Sequence, residues 1–311
     1  MLLACGDALI DFVPTRDKDG REAVLPVVGG SCLNVAIGLA RLGASTGFVG
    51  GISSDMFGQM IASHAEASSV VLGYATRSDQ QATLAFARIV DGETSYAFYD
   101  NGTASQNWTY RRGSIPFESI EVVHVGSTTL VNDKGAAETL ALIADATASS
   151  TIAFDPNCRP NLVGDKPTYL ARMAEVAASA DLIKMSDVDF SYLFGDEPYQ
   201  ARAGKLLEQG ASLVVITRGK DGAIAWHRTA GQVEVTAPKV SVVDTIGAGD
   251  SFQAALLFAL HKQGRLRRPQ LAALGTDELR RALSFAADCA GLTCTRPGAD
   301  PPWAREMSWN W

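Results

Sequence analysis

The residues with the clearest chemical potential lie in one short stretch, residues 244–252, which reads Asp-Thr-Ile-Gly-Ala-Gly-Asp-Ser-Phe. Gly247, Ala248 and Gly249 are small enough to let successive backbone N–H groups converge on one point, and a helix that begins there adds partial positive charge. Such a junction binds an anion, most often a phosphate group. The stretch therefore predicts a phosphate site at the start of a helix.

Asp250 does not suit a site built only for anion binding, because its carboxylate would repel the bound phosphate. We interpret Asp250 as a general base that takes a proton from a hydroxyl group, which then attacks phosphorus. The amides of Gly247, Ala248 and Gly249 would neutralise the charge that develops during this transfer. The stretch thus favours a phosphotransferase.

Two simpler interpretations of the stretch stay open. An ordinary glycine turn could place Asp250 as the cap of the following helix, which is compatible with catalysis. A dinucleotide-binding fingerprint, as in an NAD-dependent dehydrogenase, would need a third glycine where Phe252 stands. It would also need an acidic residue about 20 residues further on, whereas Asp244 precedes the glycines. Both departures disfavour the dehydrogenase.

The elements that must position these residues can be read from apolar runs. Val240–Val243 predicts a strand before the stretch, and Phe252–Leu260 predicts a helix after it. Helices are also predicted from Ser31, as its cap, to Leu42, over Ala136–Ala146 and over Tyr169–Ala178. Further buried strands are predicted at Leu2–Ala4, Phe48–Val49, Val122–Val125, Ile152–Phe154, Leu182–Ile183 and Leu213–Ile216. This alternation predicts an α/β fold, with a mostly parallel sheet covered by helices on both faces and ligands bound beyond the carboxyl ends of the strands.

A second region of the chain contains strand patterns only. Between Val70 and Asp100, two strands flank Asp91-Gly92-Glu93, which is a hairpin turn signal. Residues 12–28 predict another hairpin that turns at Asp17–Gly20. We therefore predict one domain over residues 1–311, with a small β-sheet lid inserted at about 12–28 and 70–100.

Composition excludes several classes of function. The chain has 311 residues, 47% of them hydrophobic, and a net charge of −7 with no long block of lysine and arginine, so nucleic acid is not an expected partner. No apolar stretch approaches the ~20 residues that cross a membrane, and we expect no membrane partner. The five cysteines form no Cys-x-x-Cys pair, which favours reduced thiols in a cytoplasm over disulfides or zinc.

At residues 244–252 the chain resembles the C-terminal signature of the ribokinase-like (PfkB-type) carbohydrate kinases. Three earlier segments are similar to other family motifs, in the same order: residues 6–12 (Gly-Asp-Ala-Leu-Ile-Asp-Phe), 29–36 (Gly-Gly-Ser-Cys-Leu-Asn-Val-Ala) and 155–162 (Asp-Pro-Asn-Cys-Arg-Pro-Asn-Leu). The first and last of these are in the style of fructokinases. The resemblance extends from Gly6 to about Ala299 and implies a ribokinase-like fold with a β-sheet lid over the sugar.

The resemblance also implies an activity. It implies an ATP-dependent kinase that phosphorylates a primary hydroxyl of a small sugar, with D-fructose as the expected acceptor. The alternatives are 2-keto-3-deoxygluconate, ribose or a nucleoside. A third class of function, beside the kinase and the dehydrogenase, is a non-catalytic sugar sensor. Such a protein would have no need of Asp250. The family often dimerises through its lid, which implies a homodimer.

The expected sugar-binding residues follow the first strands. Asp11 ends an apolar strand, where a carboxylate needs hydrogen-bond donors such as sugar hydroxyls. Gly29 and Gly30 permit close approach of the backbone to a ligand, and Asn34 offers both a donor and an acceptor, with helix packing as its alternative role. Arg159 suits a phosphate or sugar oxygen, with a surface salt bridge as its alternative. The predicted substrate-binding residues are Asp11, Gly29, Gly30, Asn34, Phe98, Asn101, Asn157 and Arg159.

The expected nucleotide and metal residues follow later strands. The predicted ATP-binding residues are Lys184, Ser186, Thr217, Gly219, Gly222 and Ala287. Ser186 and Asp189 stand where the family has the Asn and Glu of an Asn-x-x-Glu motif that organises Mg²⁺, and the shorter Asp189 implies contact through water. The family often has Asn where Ala287 stands, so we expect a contact to the base or ribose to be missing. The resemblance also implies a K⁺ site at Asp244 and the carbonyl of Ile246.

Overall fold

The computed structural model describes residues 1–90 and 93–311, with side chains described outside 88–95. Its strands are β1 (Leu2–Cys5), β2 (Leu9–Arg16), β3 (Glu22–Gly29), β4 (Thr46–Val49), β5 (Gly51–Ser53), β6 (Thr76–Ser78), β7 (Thr83–Val90), β8 (Glu93–Tyr99), β9 (Val122–Gly126), β10 (Thr151–Asp155), β11 (Leu182–Ser186), β12 (Leu213–Thr217), β13 (Ala223–His227) and β14 (Gly231–Val235). Its helices are α1 (Ser31–Arg41), α2 (Met56–Ala67), α3 (Asp133–Ala146), α4 (Lys166–Ser179), α5 (Asp187–Phe194), α6 (Tyr199–Gln209), α7 (Ala248–Lys262), α8 (Arg268–Ala272) and α9 (Thr276–Thr293).

The main sheet has the order β14-β13-β12-β11-β10-β9-β1-β4. Its strands from β4 to β12 pair in parallel, and β13 and β14 add an antiparallel edge. Side chains alternate between two apolar clusters: Ala4 packs with α1, α7 and α9 on one face, and Leu3 packs with α3, α4 and α6 on the other. The predicted α/β fold is confirmed, and each of the six predicted buried strands is present.

A smaller sheet, in the order β3-β2-β7-β8, stands apart from the main one. The β2–β3 hairpin turns where the sequence predicts, since the N–H of Gly20 donates to the carbonyl of Asp17 at 3.0 Å. β7 and β8 pair as an antiparallel hairpin, whose predicted turn residues Asp91 and Gly92 lie outside the described residues. Phe12 stacks on Phe86 within this sheet, with 4.5 Å between ring centroids. A third, two-stranded sheet pairs β5 with β6.

The structure corrects two predictions about the elements. Val240–Val243 is not a strand: it lies in the connection between β14 and α7, and Val242 and Val243 are more than half exposed. Valine favours strands only where a neighbouring strand can pair with it. Ser31 does not cap α1, because Gly30 holds that position at φ 106° and Ser31 is the first helical residue. A Cβ on Gly30 would lie 2.6 Å from the carbonyl oxygen of Asp7, so this cap requires glycine.

The segment 301–311 packs on the helices behind the main sheet. The rings of Trp309 and Trp311 contact Phe285 of α9, and Trp311 also contacts Phe258 of α7. The indole N–H of Trp309 donates to Asp288 at 3.0 Å. All five cysteines are free thiols. Among the described helices, none has the length and apolar character to cross a membrane.

Candidate active site

Asp250 lies in the first turn of α7, beyond the carboxyl ends of the parallel strands. The helix begins after Gly247, which has φ 75° and is covered by Ala299; a Cβ on Gly247 would lie 2.5 Å from that of Ala299. In this described segment no side-chain hydrogen bond caps the helix, and the N–H of Ala248 makes only a long bond of 3.3 Å to the carbonyl of Thr245. The amides of the first turn are thus available to an anion, as the sequence predicts.

Three side chains from distant parts of the chain hold the Asp250 carboxylate. Ser31 Oγ donates to Oδ1 at 2.7 Å, Asn34 Nδ2 donates to Oδ2 at 2.9 Å, and Asn157 Nδ2 lies 3.5 Å from Oδ1. Asp250 is therefore not a helix cap, since its two carboxylate oxygens face α1 and the loop after β10. The sequence predicted Asn34 and Asn157 near the site but missed Ser31, which it treated only as a cap.

The environment of Asp250 makes it a stronger base than an exposed aspartate. Burial raises its pKa, while the hydrogen bonds from Asn34 and Ser31 and the charges of Lys184 and Arg159 act in the opposite direction. A carboxylate that is buried yet still surrounded by donors can remain ionised and bind a proton more tightly. These are the properties that a general base requires.

Lys184 lies beneath the first turn of α7. Its ammonium donates to Asp155 Oδ2 at 2.7 Å and to the carbonyl of Gly249 at 3.2 Å, and its side chain is 2% exposed. Burial would lower the pKa of Lys184, but Asp155, followed by Asp250 and Asp189, raises it above the ordinary value. Lys184 therefore stays charged and joins β10, β11 and the glycine turn. Its predicted contact with ATP stays a prediction.

Asp11, on β2, faces the same region. Burial raises its pKa to about 6, with Arg159 opposing the rise and Asp7 and Asp250 adding to it. Gly29 lies directly beside it, because a Cβ there would come within 2.2 Å of Asp11 Oδ2. Arg159 donates to the carbonyls of Asn157 and Cys158 at 3.2 and 3.0 Å.

Two buried oxygen atoms beside Asp250 lack a partner. Asn34 and Asn157 both direct Nδ2 toward Asp250, and the Oδ1 atom of each accepts no hydrogen bond from the described residues. Leaving a buried acceptor unpaired costs about 1–3 kcal/mol. Asn157 is also held at φ 39°, a positive value that asparagine adopts more readily than most residues. Both oxygens would be satisfied by hydroxyl donors of a bound sugar.

The lid residues predicted to contact sugar lie in different surroundings. Phe98 is half-buried on β8, opposite Ala85 of β7. Asn101 is exposed and lines a separate cleft of about 400 Å³, between the loop after β8 and the starts of α3 and α4. Asp250 does not line that cleft.

Ser186 and Asp189 form the capping box of α5. Asp189 Oδ2 accepts from Ser186 Oγ at 2.7 Å, and its Oδ1 accepts from the N–H of Cys158 at 2.8 Å. These bonds engage both carboxylate oxygens in fastening α5 to the loop that carries Asn157. In the described ranges, no three His, Cys, Asp or Glu side chains gather as metal ligands.

The other predicted nucleotide and ion residues lie around the ends of β12 and α7. Thr217 ends β12, and the turn that follows holds Gly219 at φ 52° and Gly222 at φ 86°. Ala287 is buried on α9, which packs on β14. Asp244 accepts from the N–H groups of Ile246 at 3.0 Å and Gly298 at 2.8 Å, so its carboxylate ties the turn before α7 to the segment after α9.

Comparison with known proteins gives a consistent result. Residues 1–305 match the model of a family described as pfkB family carbohydrate kinase. A fructokinase of Rhizobium leguminosarum bv. trifolii is 37% identical over 280 residues, which cover 90% of this chain and 86% of the relative. A crystal structure of fructokinase with bound ATP from Xylella fastidiosa superposes with a TM-score of 0.87 at 28% identity, over 96% of this chain and 93% of that one. A double-mutant fructokinase of Vibrio cholerae O395, in a form bound to fructose, ADP and a potassium ion, superposes with a TM-score of 0.82 at 25% identity, over 96% and 93% of the two chains.

Proposed function

The chain belongs to the pfkB family of carbohydrate kinases, and we propose that it transfers the γ-phosphoryl group of ATP to a primary hydroxyl of D-fructose. Membership makes it an ATP-dependent sugar kinase, and the choice of fructose is supported by the fructokinases it resembles. One observation carries the proposal. The buried carboxylate of Asp250 contacts Ser31, Asn34 and Asn157. It lies at the N-terminus of α7, the helix that would bind the transferred phosphate.

In the proposed reaction, Asp250 accepts the proton of the sugar hydroxyl. The hydroxyl oxygen forms a bond to the γ-phosphorus as the bond between that phosphorus and the β–γ bridging oxygen breaks, and ADP leaves. The N–H groups of Gly247, Ala248 and Gly249 stabilise the charge on the transferred group, since none of them is capped by a side chain in this described turn. Lys184 supports the turn through the Gly249 carbonyl.

The sugar is proposed to lie between the small sheet and α1. Asp11 accepts hydrogen bonds from its hydroxyls. Gly29 and Gly30 are proposed to bring the backbone close to the sugar, since a side chain on either would collide with Asp11 or with the Asp7 carbonyl. The unpaired Oδ1 atoms of Asn34 and Asn157 accept from further hydroxyls. Phe98, Asn101 and Arg159 are proposed contacts from the lid and from the loop after β10. A neutral ligand with many hydroxyl donors suits this group of acceptors.

ATP is proposed to bind along the ends of β11 and β12, near Ser186, Thr217, Gly219, Gly222 and Ala287. We propose Mg²⁺ as the metal ion, which would neutralise phosphate charge and would be held mainly by phosphate and water, with Asp189 as an indirect partner. Asp244 and the carbonyl of Ile246 are proposed for K⁺, the ion present in one superposed fructokinase. We further propose a homodimer that forms through the small sheet. A cytoplasmic location is also proposed, because five free thiols stay reduced there.

The acceptor is tested by ADP release across a panel of sugars at fixed ATP and Mg²⁺. We expect D-fructose to give the highest kcat/KM, with sharp discrimination, because a polar site rejects sugars that leave its groups unpaired by as much as ~10⁴–10⁵-fold. Reactions without sugar supply the background rate. If fructose is turned over no better than ribose, 2-keto-3-deoxygluconate or adenosine, the choice of fructose is wrong and the family assignment stands.

A further inference from the structure

Ser31 is a buried polar residue that the proposed function names only as one of three side chains around Asp250. It opens α1 but does not cap it, and it is 6% exposed. Its hydroxyl donates to Asp250 Oδ1 at 2.7 Å, the shortest hydrogen bond that this carboxylate accepts. Because Ser31 and Asp250 lie 219 residues apart in sequence, the bond joins two elements and is not a local turn contact.

A count of acceptor sites shows what this bond does. A carboxylate offers about four lone-pair sites. In the structure, Ser31 and Asn157 approach Oδ1 and Asn34 approaches Oδ2, which leaves one site for a further donor. Without Ser31, only Asn157, at the long distance of 3.5 Å, would hold Oδ1. The Ser31 hydroxyl therefore determines where the one remaining site points.

We propose that Ser31 is a positioning residue for phosphoryl transfer, which orients the Asp250 carboxylate toward the acceptor hydroxyl. The proposal rests on the proposed function, in which Asp250 is the general base. Ser31 does not need to contact the sugar or ATP for this role. It acts through Asp250 alone.

Loss of the Ser31 hydrogen bond should be detectable through the pKa of Asp250. Burial raises the pKa of Asp250, and the bonds from Asn34 and Ser31 are the first two influences that oppose this rise. Loss of the Ser31 bond would raise the pKa further, so that more of the base is protonated, and inactive, at mildly acidic pH. The other ionisable groups whose charges act on Asp250, or on which Asp250 acts, are Lys184, Arg159, Asp11, Asp155 and the thiol of Cys32. They are unchanged in a Ser31 variant.

The test is the pH dependence of kcat for the full chain with saturating ATP and fructose. Two variants remove the donor: Ser31→Ala deletes the hydroxyl, and Ser31→Cys keeps the size of the side chain but is a weak donor. We expect the acidic side of both pH profiles to shift to higher pH by roughly one unit. On that side kcat should fall about tenfold, and near the plateau it should fall less. Sugar affinity measured by calorimetry should change less than kcat.

The matched control is Ser127→Ala. Ser127 is buried and its hydroxyl donates to a carboxylate at 2.9 Å, but that carboxylate belongs to Asp7. Its profile should keep the acidic limb of the wild type. Thermal melting identifies which variants are folded, and if Ser31→Ala is not, Ser31→Cys decides the question.

The proposal is overturned if a folded Ser31 variant has the same acidic limb and the same kcat as the wild type. It is also overturned if Ser127→Ala shifts the limb as far as the Ser31 variants do. Failure of the proposed function looks different, because Asp250→Asn would then retain turnover. A Ser31 effect that depends on pH, together with an Asp250→Asn loss at every pH, supports both.

Discussion

At the scale of single residues, the acidic side chains of this site differ in their partners. Asp250 accepts bonds from neutral donors, and Asp155 pairs with the Lys184 ammonium. Asp189 is engaged by the capping box of α5 at Oδ2 and by the N–H of Cys158 at Oδ1. Asp11 has a charged neighbour, Arg159, that lowers its pKa, but burial outweighs it. Of these carboxylates, Asp250 therefore combines burial, an open acceptor site and a nearby helix start, which is the combination a base for phosphoryl transfer needs.

Asp250→Asn should remove most of the turnover and leave sugar binding in place. The amide cannot take the proton, and loss of a general base typically lowers the rate by about 10²–10⁴-fold. The measurement is kcat by ADP release, with sugar affinity by calorimetry. Asp165→Asn is the control, because Asp165 only caps α4 and Asn is an equally good cap. A variant at position 250 that keeps more than about a tenth of wild-type kcat would contradict the assignment.

Sugar affinity should fall as pH drops through about 6, where Asp11 takes up a proton. In the free protein Asp11 takes up this proton near pH 6. Because a protonated Asp11 no longer accepts hydrogen bonds from two sugar hydroxyls, the proton and the sugar compete for it. For one such group, the affinity at pH 5 should be about tenfold lower than at pH 7. Calorimetric titration with sugar measures this. In Asp11→Asn the affinity should be low at both pH values, and a pH dependence that persists there would show that another group is responsible.

Residues of the site were predictable where a segment with a chemical pattern contains them. Asp11, Asn34, Asn157 and Asp250 all lie in such segments, and the structure places them around one carboxylate or beside it. Ser31 and the buried setting of Lys184 were not predictable, because a hydrogen bond between residues 219 positions apart depends on packing that no local pattern encodes. The same applies to Asp189, whose oxygens are both engaged before any metal ion is considered.

At the scale of elements, α1 connects the site to the segment that follows α9. Its start carries Ser31 and Asn34, and its last residue, Arg41, donates to Asp300 and, at 2.8 Å, to the carbonyl of Pro301. Asp300 adjoins Ala299, which covers Gly247. One helix thus fixes both the partners of the base and the segment packed on the glycine turn. Several strands and helices followed from apolar runs in the sequence, whereas this connection required the fold.

Arg41→Ala should destabilise the protein by about 2–3 kcal/mol, since the Arg41 side chain is 7% exposed. Its loss leaves Ser68 and the Pro301 carbonyl without this donor, and leaves Asp300 paired with Arg296 alone. The exposed ion pair of Arg112 with Asp145 provides the contrast, and Arg112→Ala should cost less than about 1 kcal/mol. Denaturant unfolding compares the two midpoints. Equal shifts would show that the Arg41 network is no more than a surface contact.

At the scale of the whole molecule, the tail residues Trp309 and Trp311 cover the aromatic face of α7 and α9. The three tryptophans of this short segment need an apolar surface, and the sequence alone does not identify which one. The apolar Val240–Val243 run shows the reverse case, since it is exposed where a buried strand was expected.

Replacing both Trp309 and Trp311 by alanine should lower the thermal midpoint. Each indole is only partly buried, so we expect a combined loss of about 2–4 kcal/mol, below the value for fully buried tryptophans. Val242→Ala, at a side chain that is 62% exposed, should stay within ~0.5 kcal/mol of the wild type. Calorimetric melting measures both. A double variant as stable as Val242→Ala would mean that the tail contributes no packing energy.

Two contacts of the glycine turn affect how the protein folds during synthesis on the ribosome. Ala299 packs on Gly247, and the N–H of Gly298 donates to Asp244. The glycine turn is synthesised some fifty positions before the residues that brace it, since Gly247 precedes Gly298 by 51 positions (298 − 247). Domains fold as units, with earlier segments first during synthesis. We therefore expect a product of interrupted translation that stops before Gly298 to carry Asp250 without a braced anion turn.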